Sequence, residues 1–370
     1  MVRLTRAQQQ EHTRAAVLAA AREEFADRGY AEAKVDRIAE RAELTRGAVY
    51  SNFPSKRALY LAVLVDMAGA AATDEVPRKS PASVADALGA FARVWLERLP
   101  LVGEGSAGGH LRLRSLSGVL DDDRARAGLA QVVRLEALLL ALAIETHHPR
   151  DTARVRRVRL AELALTLLNG SAGLAETAPG FGDPFDVARA CEHLAGIDLA
   201  DVWDPPHLPY VPPAHPCDEA WIPPAEVSDE ITGRRVALDA DGVIAVLGTG
   251  RLAAAEEAVR GAPPGEQVTV AVVTSDPAEI GRLVRLRVGD LGSCLRRVFA
   301  PDAWPGLRLV LDDRALTASA LGLTDADDAT EAAVRVRDGR IVARAEGRGA
   351  VHAAATADAP KAPRSRRSGA

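Results

Sequence analysis

The sequence predicts two architectures in series: an all-α part up to about residue 200, then a separate α/β part. Three observations predict it. Apolar residues recur at three- and four-residue spacing through the first 200 positions, the period of helices with one buried face. Eight prolines crowd residues 201–235, a density that excludes helix and favours an extended linker or strap. Beyond them short β-rich runs, such as 268–274, alternate with helical stretches and end in a two-residue hairpin signal, Asp338-Gly339.

Residues 8–28 carry Val17, Leu18, Ala21 and Phe25 on one stripe, and Gly29 supplies a stop. A short helix follows with Val35, Ile38, Ala39 and Ala42 inward; Glu43 and Leu44 make a tight turn. Thr45 caps a third helix through Asn52, Phe53-Pro54 breaks it, and Ser55 caps a fourth that runs to about residue 72. Further helices are expected at 83–99, 111–116, 123–146, 151–177 and 183–195. In the α/β part, strands are expected at 236–238, 243–247, 268–274, 307–311, 334–337 and 340–344, and helices at 252–260, 279–288 and 315–321. The tail from residue 353 is rich in Ala, Pro, Arg and Ser and is expected to be disordered.

Bulk properties narrow the function classes. No stretch of about 18 uncharged apolar residues occurs, so no membrane span is expected. Arg3 and Arg6 precede no apolar core, which argues against a secretory signal. Three widely separated cysteines, 191, 217 and 294, argue for a reducing cytoplasm and against a disulfide framework or zinc site. Net charge is −5, yet residues 1–65 hold eleven Lys/Arg against eight Asp/Glu and are +3. A basic end on an acidic chain is compatible with a phosphate-binding face.

The stretch VDRIAERAELTRGAVYSNF, residues 35–53, reads as a helix-turn-helix. Small Ala39 suits the close crossing of two short helices, and Ile38, Leu44 and Val49 fix its angle. The second helix then offers Arg46 and Gly47 to a major groove, with Tyr50 one turn later. Arg46 can reach guanine O6/N7 or a phosphate; Tyr50 and Lys56 suit phosphates.

These residues resemble the TetR family of regulators. Tyr50-x-x-Phe53-Pro54-x-Lys56 and Phe25-x-x-x-Gly29-Tyr30 match its pattern over residues 13–66. The resemblance implies a double-stranded DNA operator as partner, contacted by Lys34, Thr45, Arg46, Gly47, Tyr50 and Lys56. Lys34 stands where Thr or Ser is usual, and Glu43 where Gly is common in the turn. The resemblance further implies a helical body over 67–200 that binds a small-molecule effector and forms a homodimer. Pocket candidates are Phe91, Trp95, His110, Arg112 and Arg114. Dimer candidates lie on the stripes of the last two helices: Leu160, Leu163, Leu167, Val187 and Leu194. Asp121-Asp122-Asp123 reads as a capping turn rather than a metal site, and no cofactor is expected.

Residues 236–352 resemble a thioredoxin-like domain. Leu309 to Asp313, then Ala320-Leu321-Gly322, the hairpin and Gly347 are similar to the second half of peroxiredoxin-type chains. That chemistry needs a thiol at the start of the helix after the first core strand. Gly248-Thr249-Gly250-Arg251 stands there, and 324–333 hold no proline. The resemblance therefore implies a module without a reaction, and no catalytic residue is assigned. The expected organisation is a DNA-binding domain at 1–66, a ligand and dimerisation domain at 67–200, a Pro-rich linker or strap at 201–235, the module at 236–352 and a tail at 353–370. The leading function is a ligand-responsive dimeric repressor. A thiol-redox-responsive regulator, or a thioredoxin-like enzyme fused to a DNA-binding domain, is the alternative.

Overall fold

A computed structural model describes residues 5–71, 80–97, 116, 118–146, 156–178, 180–225, 227–304 and 306–357. The chain divides into two compact units: residues 1–201 with 276–303, and residues 202–275 with 304–370. The first unit is helical. It contains α1 (Arg6–Glu32), α2 (Val35–Arg41), α3 (Arg46–Asn52), α4 (Lys56–Ala71), α5 (Val84–Leu96), α6 (Asp123–Glu145), α7 (Val158–Thr177), α8 (Pro184–Leu194) and a later helix at 280–298. Local chemistry sets the boundaries. Thr5 caps α1 reciprocally with Gln8, Thr45 Oγ1 accepts from the Ala48 amide, and Ser83 and Asp122 cap α5 and α6. Gly29 interrupts α1 near its end. Helix α6 is long and apolar enough to cross a membrane by composition, but it runs through the helical core, with Leu135, Leu138, Leu139 and Leu140 buried.

The second unit is a six-stranded mixed sheet with helices. Its elements are β1 (His215–Ala220), β2 (Val227–Ser228), β3 (Arg235–Val236), β4 (Gly242–Gly248), α9 (Ala254–Gly261), β5 (Gln267–Val273), β6 (Leu307–Leu311), α11 (Leu316–Ala320), β7 (Glu331–Arg337), β8 (Arg340–Glu346) and α12 (Ala350–Thr356). Between β5 and β6 the chain forms α10 (Ile280–Val298). Strand order is β1-β8-β7-β4-β5-β6, with β4, β5 and β6 parallel and β7 antiparallel to β4. Every residue of β4 is buried, as a central strand covered on both faces requires. The β7–β8 turn places Asp338 and Gly339 at φ 49° and 70°, the left-handed pair a two-residue hairpin needs.

Three expectations are corrected. Of the two readings of residues 201–235, linker or strap, the linker fails: His215–Ala220 adds an edge strand to β8, and Trp221 is 6% exposed with its indole N–H donating to the Leu238 carbonyl at 2.6 Å. Pro216 fits there because an edge strand leaves one row of backbone groups unpaired. The module at 236–352 is not continuous, since residues 276–303 belong to the helical unit. Helix α10 is apolar enough to join that core, with eleven buried positions including Leu283, Leu286, Leu291 and Leu295. Residues 353–356, expected in a disordered tail, are instead helical, with Val351 and Ala353 to Ala355 buried in α12. Of the expected helix at 111–116, only Leu116 lies among the described residues.

Candidate nucleic-acid interface

The apolar side of the helix-turn-helix is fixed first. Val35, Ile38, Ala39, Val49 and Phe53 join Phe25 and Tyr60 in one buried cluster. Phe25 and Tyr60 meet edge to face at 4.9 Å, and Tyr60 lies 5.0 Å from Tyr30. Ala39 is 4% exposed at the crossing of α2 and α3. Between them Glu43 takes φ 54°, the left-handed conformation its place in the turn calls for, at a cost of about 1 kcal/mol. Leu44 closes the turn, its N–H donating to the Ala39 carbonyl at 2.9 Å.

With that side buried, the opposite side of α3 is presented outward. Thr45, Arg46 and Gly47 are exposed and Tyr50 is half-buried. Arg46 Nη1 lies 3.3 Å from Asp36 Oδ1, and its guanidinium covers the Tyr50 ring at 5.4 Å. Lys34 is exposed as the residue preceding α2. Its side chain makes no cap; its N–H donates to Glu24 Oε1 at 3.4 Å instead. Lys56 Nζ donates to the Ala31 carbonyl at 3.0 Å and stands over the Tyr30 ring, and burial holds its pKa below the ordinary lysine value. Five of the six expected DNA-contacting residues therefore flank or lie on α3's open side or its α4 shoulder, and Lys34 lies at the neighbouring start of α2.

Sequence reasoning missed the carboxylates that hold this arrangement. Glu24 is fully buried on α1, yet its carboxylate meets Arg28 and Arg41 at 3.4 Å each and receives the Lys34 amide. Glu279 is the residue just before α10 and accepts from Ser55 and from Arg57 at the start of α4. Arg57 also reaches Asp122, whose carboxyl is held below its usual pKa by the Ala125 amide and by Arg57. Burial works against the Arg57 charge, but its bonds to Asp122 and Glu279 outweigh this and raise its pKa. Nothing local marks Glu279, which lies 224 positions from Ser55.

The other site expectations fall as follows. Phe91 and Trp95 are buried on α5, rings 5.8 Å apart, with the Arg287 guanidinium 6.0 Å from Trp95. His110, Arg112 and Arg114 lie outside the described residues. Leu160 is taken up in the chain's own core at 5% exposure, whereas Leu163 is 37% exposed and Leu167, Val187 and Leu194 are half-buried. In the sheet unit, Gly248 and Gly250 meet the backbone of Asp327 and Asp328 so closely that a Cβ on Gly248 would stand 2.3 Å from the Asp327 carbonyl oxygen. The loop before β7 thus packs directly against the 248–250 turn. Burial pushes the Cys191 thiol up to about 11 and raises that of Cys217.

Residues 17–63 match the family described as bacterial regulatory proteins, tetR family. Over 54 residues the chain is 48% identical to the HTH-type transcriptional activator FasR of Mycolicibacterium smegmatis. That stretch is 15% of this chain and 25% of the relative, so the chain spans about a quarter of the length of that curated relative. Among solved structures, NalD, the secondary repressor of the MexAB-OprM multidrug efflux pump in Pseudomonas aeruginosa, is 22% identical, with 50% of this chain and 94% of that chain covered at a TM-score of 0.30. A TetR transcriptional regulator from Rhodococcus sp. RHA1 is 19% identical, with 52% and 99% covered at a TM-score of 0.30. The family match falls within α1 to α4, and these N-terminal helices are a DNA-binding domain of the bacterial tetR regulatory family.

Proposed function

We propose that the protein is a dimeric transcriptional repressor that binds a palindromic operator through α3 and releases it on binding a small molecule. The observation that carries this reading is the outward-facing start of α3, where Thr45, Arg46 and Gly47 stand exposed on a fully buried apolar base. Arg46 reads base edges; Lys34, Thr45, Tyr50 and Lys56 bind phosphates, and Gly47 lets the helix approach the duplex. One short helix reads too few base pairs for specific affinity, so two copies are needed, about one helical turn apart. The dimer seam is formed by α7 and α8 through Leu163, Leu167, Val187 and Leu194. Leu174, Phe181 and Phe185, at 45%, 71% and 73% exposure, extend that apolar surface. The effector is recognised beside Phe91 and Trp95.

The sheet unit is a thioredoxin-like scaffold without the thiol reaction. Its order β8-β7-β4-β5-β6 and the Gly248–Gly250 turn packed against the 327–328 backbone support this assignment. Electrophoretic retardation of the gene's own upstream DNA, repeated with candidate effectors and read beside a reporter gene, tests the regulator. An insulin-reduction assay with no turnover tests the scaffold.

A further inference from the structure

Helix α10 connects two neighbouring parallel strands of the sheet, Val268 on β5 pairing with Leu307 on β6, yet it belongs to the helical unit. There its neighbours are α4, α5 and α6. Leu283 and Leu286 enter the same buried cluster as Phe25, Ile38, Val49 and Phe53. Further along, Arg287 pairs with the buried Glu136 of α6 at 2.6 Å.

The first turn of α10 grips the corner at which α3 passes into α4. Glu279 accepts from the Ser55 hydroxyl and the Arg57 guanidinium. Ser55 is also the residue that caps α4, its Oγ accepting the Ala58 amide at 2.9 Å. Arg282 donates to the Ala58 carbonyl at 2.9 Å, and its guanidinium lies 5.4 Å from the Phe53 ring. Arg14 covers the same ring at 4.8 Å, so two cations lie against Phe53, the residue that ends α3.

We propose that Glu279 and Arg282 are positioning residues for DNA recognition: through Ser55, Arg57, Ala58 and Phe53 they fix the α3–α4 corner, so a helix from the C-terminal segment sets the aim of the reading helix. This rests on the DNA-binding reading above. Neither residue touches DNA; each acts through the corner it holds. Base contacts tolerate little misplacement of α3, whereas phosphate attraction tolerates more, so the two kinds of binding respond differently.

The test uses the full chain and compares wild type with Glu279→Ala, Glu279→Gln and Arg282→Ala. Operator affinity, affinity for unrelated duplex DNA, sedimentation and thermal unfolding are measured for each. Glu279→Ala is expected to weaken operator binding about ten-fold while unrelated DNA changes less than two-fold, with Glu279→Gln recovering most of the loss because its amide oxygen still accepts from Arg57 while its amide N–H donates to the Ser55 hydroxyl. A bare charge effect runs the other way, since loss of a negative charge tightens binding to any DNA. Equal loss on both DNAs, tighter binding to both, or no change overturns the proposal. If Glu279→Ala fails to fold, the ratio of the two affinities in Glu279→Gln and Arg282→Ala decides it by the same criteria. A wild type that does not prefer its operator sinks the DNA-binding reading itself, which separates the two failures.

Discussion

Arg46 and Asp36 form an ion pair across the helix-turn-helix, Nη1 to Oδ1 3.3 Å, with both side chains about 60% exposed. In the proposed reading, the arginine that reaches a base is held by a carboxylate that DNA has to displace. An exposed pair of this kind is worth only ~0.2–1 kcal/mol, so the exchange is easy. Asp36→Asn should tighten operator binding by up to about five-fold, the same energy expressed as affinity. Arg46→Ala should lower it and relax preference at one base pair by about 1–3 kcal/mol. Lys56→Ala should weaken all sequences alike and flatten the salt slope by about one unit. Fluorescence anisotropy against a salt series reads all three. A looser Asp36→Asn variant would show that the pair aims Arg46 rather than restrains it.

Much of the helix-turn-helix was legible in the sequence because its signals are local. Thr45 and Ser55 cap helices a few residues away, and Ile38, Val49 and Phe53 keep helical spacing. The left-handed turn at Glu43 follows from the shortness of the connection. The Asp338-Gly339 hairpin was legible for the same reason. What escaped was long-range. The stripe of α10 reads equally well as the cover of its own sheet or as part of another core, and periodicity cannot tell which. Strand β1 was hidden because prolines mask an edge strand, and α12 because a run of alanines resembles a disordered tail in composition. Glu24 and Glu279 look like solvent-facing acids until their arginine partners are placed.

The seam proposed on α7 and α8 can be broken without harming the single chain. Leu163 is 37% exposed, so Leu163→Asp leaves the protomer core intact. In a dimer it places an unpaired charge in an apolar seam, at a cost of several kcal/mol. Sedimentation should then show monomers that have lost operator binding. A folded, unchanged dimer would put the seam elsewhere.

Removing the C-terminal segment should damage the helical unit. Leu283 and Leu286 share the cluster of Phe25 and Phe53, and each buried leucine contributes ~1.5–3 kcal/mol. A chain ending at Asp204 should therefore aggregate or lose cooperative unfolding. A soluble dimer of that length with full operator affinity would contradict the placement of α10.

The sheet unit should respond to pH through Glu257. This carboxyl is 7% exposed, its pKa is raised to about 7 by burial, and its Oε1 lies 3.1 Å from His207 Nε2. The folded chain keeps the proton longer than the unfolded one, whose value is near 4.5, so stability falls as pH rises from 4.5 to about 7 and then levels. His207, lowered by burial, acts in the opposite sense up to its ordinary 6.5. Glu257→Gln isolates the acid: relative to wild type it should gain roughly 3 kcal/mol at pH 8 and little at pH 4.5. Denaturant unfolding at the two pH values reads the difference, and an equal effect at both would remove Glu257 as the source.

In the proposed dimer, two copies of α3 read one DNA site. A footprint of the full chain on its own upstream region tests this most directly. A dimer reading a palindrome should protect two half-sites of inverted sequence, their centres about one helical turn or slightly more apart. Protection should disappear together with the dimer in Leu163→Asp. Protection of a single half-site, or of no site above the level seen on unrelated DNA, would contradict it.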